Sequence, residues 1–159
     1  MTMTRSPAAA SPLAAATAHY ATATRWLGLV PQSLMLLLLR IGVAMVFWKS
    51  GMTKIESWES TVFLFAEEYR VPLLPPEIAA YLGTAVELGG SVALILGFAT
   101  RFAALALIGL VAVIQLFVYP ALWTDHIFWF AALLILLARG AGLLSIDALI
   151  ARFAGHRET

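Results

Sequence analysis

"LMLLLLRIGVAMVFWKSGMTK", residues 34–54, decides the fold. It is a near-continuous apolar run of the length that crosses a hydrocarbon layer, about 20 residues. Yet Arg40 stands well inside it, and Lys49 and Lys54 follow at its far end. A charge at the centre of a membrane helix costs roughly 2.5–3.5 kcal/mol on insertion scales. An arginine there needs a partner.

The whole chain agrees with that reading. Of its 159 residues 62% are hydrophobic and 12% charged, and the mean hydropathy is +0.90. Soluble domains run at about 45–50% apolar and about 25% charged, so this composition describes an integral membrane protein. A net charge of +1 with no basic face argues against a nucleic-acid partner. With no cysteine, disulfides and cysteine-held iron–sulfur clusters are excluded within the chain. No haem is expected either, because His19 and His156 lie in the terminal tails and only His126 is near a span. The three methionines of the first span read as packing rather than a copper site, and no metal site is expected.

Four apolar stretches approach the spanning length, about 33–52, 77–98, 101–122 and 126–144. The expected fold is all-α, a four-transmembrane-helix bundle over residues 31–145. Residues 1–30 read as a mobile tail with an interfacial end at Trp26, and 146–159 as a short C-terminal interfacial helix and tail. The long connection "TKIESWESTVFLFAEEYRVPLLPP", residues 53–76, carries Ile55, Trp58, Val62, Phe65 and Tyr69 at helical spacing. It reads as an amphipathic helix in the first outer loop, capped by Ser57 and followed by an extended "VPLLPP". Arg5, Arg25, Arg101, Arg139, Arg152 and Arg157 gather on one side, so the positive-inside rule places both termini in the cytoplasm of a bacterial inner membrane.

Depth tests whether the intramembrane charges meet. Counting from Ser33, Arg40 lies about 10 Å in; counting back from Gly97, Glu87 lies about 15 Å from the same side. Arg40 and Glu87 are therefore expected to form a buried ion pair, serving either helix register alone or ligand binding and proton transfer. Gln115 reads as an interhelical hydrogen bond. Near the outer rim, "YPALWTDHIFWF" places Trp123, Asp125 and His126 close to Lys54. Two readings stand for this cluster. One is an aromatic belt with an Asp–His cap on the fourth helix. The other is a quinone-headgroup or partner site, since quinone carbonyls need donors and quinol oxidation needs a base.

"LLRIGVAMVFWKSGMTKI", "ELGGSVALILGFATRFAALAL" and "LLILLARGAGLLSIDALI", the last with its R-G-x-G-x-x-S-x-D pattern, resemble the DoxX family of small four-span bacterial membrane proteins over residues 34–150. Arg40, Lys54, Glu87, Arg101, Arg139 and Asp147 occupy positions that match the family pattern. The resemblance implies a quinone-interacting subunit of a membrane oxidoreductase or a redox or metal-handling system, with quinone as its cofactor and no catalysis by the chain alone. The alternative it leaves is a non-catalytic scaffold that recruits a soluble enzyme or a metal-binding peptide. A partner oxidoreductase or metal-binding peptide, membrane lipid and a homo-oligomer are the expected associations.

Overall fold

A computed structural model describes residues 12–155. The chain divides into two compact units, residues 1–31 and 32–159. In the first, Pro12–Leu27 forms α1, where a mobile tail was expected. Burial was the wrong criterion there: alanine is the strongest helix former and needs no core to favour the helix. Residues 1–11 of that tail lie outside the described residues, as do residues 156–159.

The second unit is built on α2 (Gln32–Glu56), α4 (Pro76–Leu96), α5 (Thr100–Val113) and α6 (Trp123–Arg139). They pack in a ring, α2 on α4, α4 on α5, α5 on α6 and α6 back on α2. The core runs down the ring's centre through Val43, Phe47, Leu94, Leu107, Leu133 and Leu136. Among the described residues, three helices are long and apolar enough to cross a membrane: α2, α4, and α5 with the π-helical turn that continues it to Val118. No more than 33% of each apolar window is buried within the protein. The uncovered faces, with Leu38, Met45, Phe102 and Leu105 exposed, need an apolar solvent. This is an integral membrane protein in contact with lipid.

α2 and α4 approach most closely through small residues. A methyl group on Gly51 would come within 2.7 Å of the Leu88 side chain, and one on Gly90 within 2.9 Å of Leu107 on α5. Ser91, fully buried, donates to the Ala44 carbonyl across the seam at 2.9 Å. Small residues thus admit neighbouring backbones where bulk would hold them apart.

The end of the ring carrying the α4–α5 turn is fastened by charges on backbone groups. α4 stops at Gly97, whose φ of 65° suits glycine, and Phe98 N–H bonds the Ala93 carbonyl at 2.9 Å. Asp147, in α7 (Ile146–Gly155), accepts the Ala99 and Thr100 N–H groups at 2.7 and 3.0 Å. A carboxylate there satisfies unpaired donors at the start of α5 and complements its dipole. Ser145 caps α7 through the Ala148 N–H at 3.1 Å.

Three boundaries differ from the sequence reading. The fourth apolar stretch is helical only to Arg139, because Gly140 and Gly142 take φ of 76° and 77° and turn the chain. The outer segment is two pieces, α3 (Trp58–Leu64) and a π-helical turn at Phe65–Tyr69. Ser57 stands at the N-cap position of α3, but its hydroxyl bonds Ser60 rather than a backbone N–H. After it the chain turns instead of running extended, with Arg70 and Leu73 at positive φ. α3 and its π turn lie on α4 through Phe65, Ala79 and Ala80, backed by Trp58, Val62 and Tyr69.

The α4–α5 contact makes a differential prediction. Gly90→Ala should lower the stability of the detergent-solubilised protein by about 1–3 kcal/mol, the usual cost of overpacking. Gly89→Ala, where nothing lies within 4 Å of the added methyl, should leave the stability unchanged or raise it by up to about 1 kcal/mol, as alanine favours the helix over glycine. Equal effects would show that the α4–α5 contact tolerates bulk.

Candidate functional site

Glu87 is 2% exposed near the middle of α4, and its carboxylate must be compensated. Lys54 compensates it, with Nζ 2.8 Å from both carboxylate oxygens. Ser50, one turn before Lys54 on α2, donates to Glu87 Oε1 at 3.1 Å and accepts from Lys54 Nζ at 2.9 Å. All three polar side chains thereby complete one another.

The expected Arg40–Glu87 pair does not form. Arg40 is fully buried, but its guanidinium donates to the Leu144 carbonyl at 2.6 Å and the Leu94 carbonyl at 3.3 Å, with Asp147 as its opposing charge. Side-chain direction explains the exchange. Every Cα–Cβ bond leans toward its helix's N-terminus. On α2 this tips Arg40 toward the start of the helix and Lys54 back toward its middle. On antiparallel α4 it tips Glu87 toward Lys54 and away from Arg40. Depth counted along the axes missed that lean. Arg40 instead reaches the last turn of α4, where open carbonyls and the negative end of the dipole favour a cation.

Above the Lys54–Glu87 pair lies a cavity of about 220 Å³. Its walls are mainly apolar, from Phe65, Leu110, Val113, Ile114 and Val118, with Lys54 and Glu87 to one side and His126 and Trp129 also on it. Both π-helical turns contribute, through Phe65 and Tyr69 and through Ile114 and Val118. Such turns re-aim side chains and recur at functional sites. At the mouth, the Tyr69 and Tyr119 rings meet edge to face, and Tyr119 donates to Glu68 at 2.8 Å. Burial, with Tyr69 and Glu68 beside it, holds the Tyr119 phenol above its ordinary range, so it stays a donor.

His126, 3% exposed, is hydrogen-bonded through Nδ1 to Gln115 Oε1 at 2.6 Å. Gln115 Nε2 in turn donates to the Pro120 carbonyl at 2.9 Å. The π turn at 114–118 and the Pro120 bend bring these groups together across the α5–α6 connection. Trp129 packs on His126 at 5.1 Å and on Phe47 at 5.9 Å between ring centres.

Of the outer-rim residues read from the sequence, the cavity unites Lys54 and His126. Trp123 and Asp125 stay out of it. Both are exposed at the start of α6, and Asp125 has no hydrogen bond or ion pair among the described residues. The expected Asp–His pair is replaced by Gln115–His126, because successive helix positions face about 100° apart. Arg101 and Arg139 lie exposed toward the other end, near Gly140, in company with the Asp147 anchor rather than with the cavity. Ser50, Tyr69, Tyr119 and Trp129 were missed. Ser50 had a signal, standing four residues before Lys54 on the same helical face.

The pair should behave as a buried ion pair. Lys54→Met should cost about 3–5 kcal/mol by stranding Glu87, and adding Glu87→Met should restore most of it. Thermal unfolding of the two variants in detergent checks this; a double variant no better than the single one would refute the mutual dependence.

The sequence model of the DoxX family matches residues 35–120, more than half of the chain, taking in α2 to the end of the α5 π turn. Lys54, Glu87 and Gln115 fall inside the match, whereas His126 and the Arg139–Asp147 segment follow it. No curated protein and no solved structure matches the chain. On the strength of that match, and of the apolar helices that carry it, the chain belongs to the DoxX family.

Proposed function

We propose that the protein is a quinone-interacting subunit of a membrane redox system, with the cavity above Lys54–Glu87 as its headgroup site. The observation that carries this reading is chemical. An apolar chamber of about 220 Å³, below the usual size of drug-sized ligand pockets, is lined by an imidazole and by a compensated carboxylate. Its size suits one substituted ring, while the attached isoprenoid chain would remain in lipid. His126 accepts or returns the proton that accompanies quinone redox chemistry. A partner protein supplies or removes the electrons. Arg40 and Asp147 serve the fold at the opposite end.

In this reading α6 is a fourth span. Its 17 residues measure about 25 Å, a little short of the hydrocarbon thickness, which bilayer thinning accommodates. Both termini then face the cytoplasm of a bacterial inner membrane, and the cavity mouth faces outward. The alternative, a scaffold recruiting a soluble enzyme or metal-binding peptide, would rest on the exposed Glu56, Glu59 and Glu67 of the outer segment.

Two measurements test the proposal. Because the chain has no cysteine, single Thr124→Cys and Ala154→Cys variants report topology directly. A membrane-impermeant maleimide should label the first, and not the second, from outside intact cells. Calorimetric titration of the purified protein with a short-tailed quinone should show saturable binding, lost in Leu110→Trp, which fills the cavity, and weakened at least tenfold in His126→Phe. Binding unchanged in both would remove the cavity from the function. A stable protein partner without quinone binding would favour the scaffold.

A further inference from the structure

We infer that the cavity selects the reduced, hydroxyl-bearing form of its ligand, and that Gln115 sets this preference by locking the tautomer of His126. The inference rests on the quinone reading above and says which redox state the site holds.

The argument begins at the Pro120 carbonyl, which can only accept. Gln115 therefore turns its NH₂ to Pro120, as the 2.9 Å contact requires, and its oxygen to His126. An amide oxygen also only accepts, so the 2.6 Å contact to Nδ1 needs the proton on Nδ1. In the neutral ring, Nε2 then carries the lone pair. Nε2 has no partner among the described residues. His126 lines the cavity and Gln115 does not, and Nε2 is the ring nitrogen left free to meet a ligand there.

The second polar wall has the same character. Lys54 Nζ spends its protons on Ser50 Oγ and the two Glu87 oxygens, and the Ser50 hydroxyl donates to Glu87. What remains open is carboxylate lone pairs. At the mouth, the Tyr119 proton goes to Glu68. His126 Nε2 and Glu87 therefore present acceptors, while the Trp129 indole N–H, also on the wall, is a donor that a hydroquinone hydroxyl oxygen can accept from. A hydroquinone brings a hydroxyl to each end of its ring and can donate to His126 Nε2 and to Glu87. The carbonyls of a quinone would find a donor only at Trp129 and would meet lone pairs at His126 and Glu87, where a buried acceptor facing an acceptor loses a hydrogen bond without replacement. Lys54 consequently neutralises Glu87 and does not act as the headgroup donor expected from the sequence. A tenfold preference for the hydroquinone would raise the potential of the bound two-electron couple by about 30 mV, favouring electron delivery into the bound quinone.

The test is anaerobic calorimetry on the full-length protein in detergent, titrating a short-tailed benzoquinone and, separately, its hydroquinone. The hydroquinone should bind at least tenfold more tightly. Gln115→Met, which releases the tautomer, should reduce that ratio several-fold. Equal affinities, or tighter binding of the quinone, overturn the inference and leave the quinone site standing. Binding of neither form overturns both. A ligand-free check is independent of these outcomes. With His19 and His156 replaced by Gln, ¹⁵N spectra of the remaining imidazole should show Nδ1–H in the neutral ring; Nε2–H would overturn the lock.

Discussion

A carboxylate sealed between two apolar helices is costly unless a cation reaches it, and Lys54 reaching Glu87 is the contact on which the rest of this structure depends. The pair sets the register of α2 against α4. Gly51 stands one turn before Lys54 and lets the Leu88 side chain and the Glu87 Cβ come close, and Ser91, one turn after Glu87, ties the same seam to the Ala44 carbonyl. The pair also determines what the cavity offers. By consuming the lysine protons it leaves a neutralised carboxylate, whose remaining valences are lone pairs.

The opposite end of the ring solves a similar problem without a direct ion pair. Arg40 lies on carbonyls at the end of α4 and in the loop before α7, and Asp147 lies on N–H groups at the start of α5. Helix ends carry partial charges of fixed sign, so each buried ion meets its complement in the backbone. That end is a clasp joining α2, α4, α5 and α7. The cavity lies in the other half of the ring, among the two π-helical turns and His126.

Much of the architecture was legible in the residues. Apolar runs of about 20 residues in a chain with so few charges admit few alternatives to membrane helices; α2 and α4 begin and end close to where those runs do, whereas the third run, read to 122, is α-helical to Val113 and π-helical to Val118. The helix over Pro12–Leu27 escaped notice because propensity, unlike burial, leaves no amphipathic trace in an alanine-rich stretch. The fourth run was read too long, since Gly140 and Gly142 stop α6 through backbone conformation rather than polarity. The π-helical turns had no sequence signal at all, although they shape the cavity walls.

The sequence by itself determined that the chain is a membrane protein, that its charges inside apolar helices had to be matched, and that Lys54, Gln115 and His126 were among the polar groups to watch. Which charge met which was decided only in three dimensions. The lean of side chains along antiparallel helices sends Glu87 to Lys54 and Arg40 to backbone carbonyls, and axial depth alone contains no such direction. The choice of Gln115 over Asp125 as the partner of His126 likewise came from the bend at Pro120, which folds α6 back against α5. Local spacing specifies what a helix face displays; the packing of a second helix decides what that face can touch.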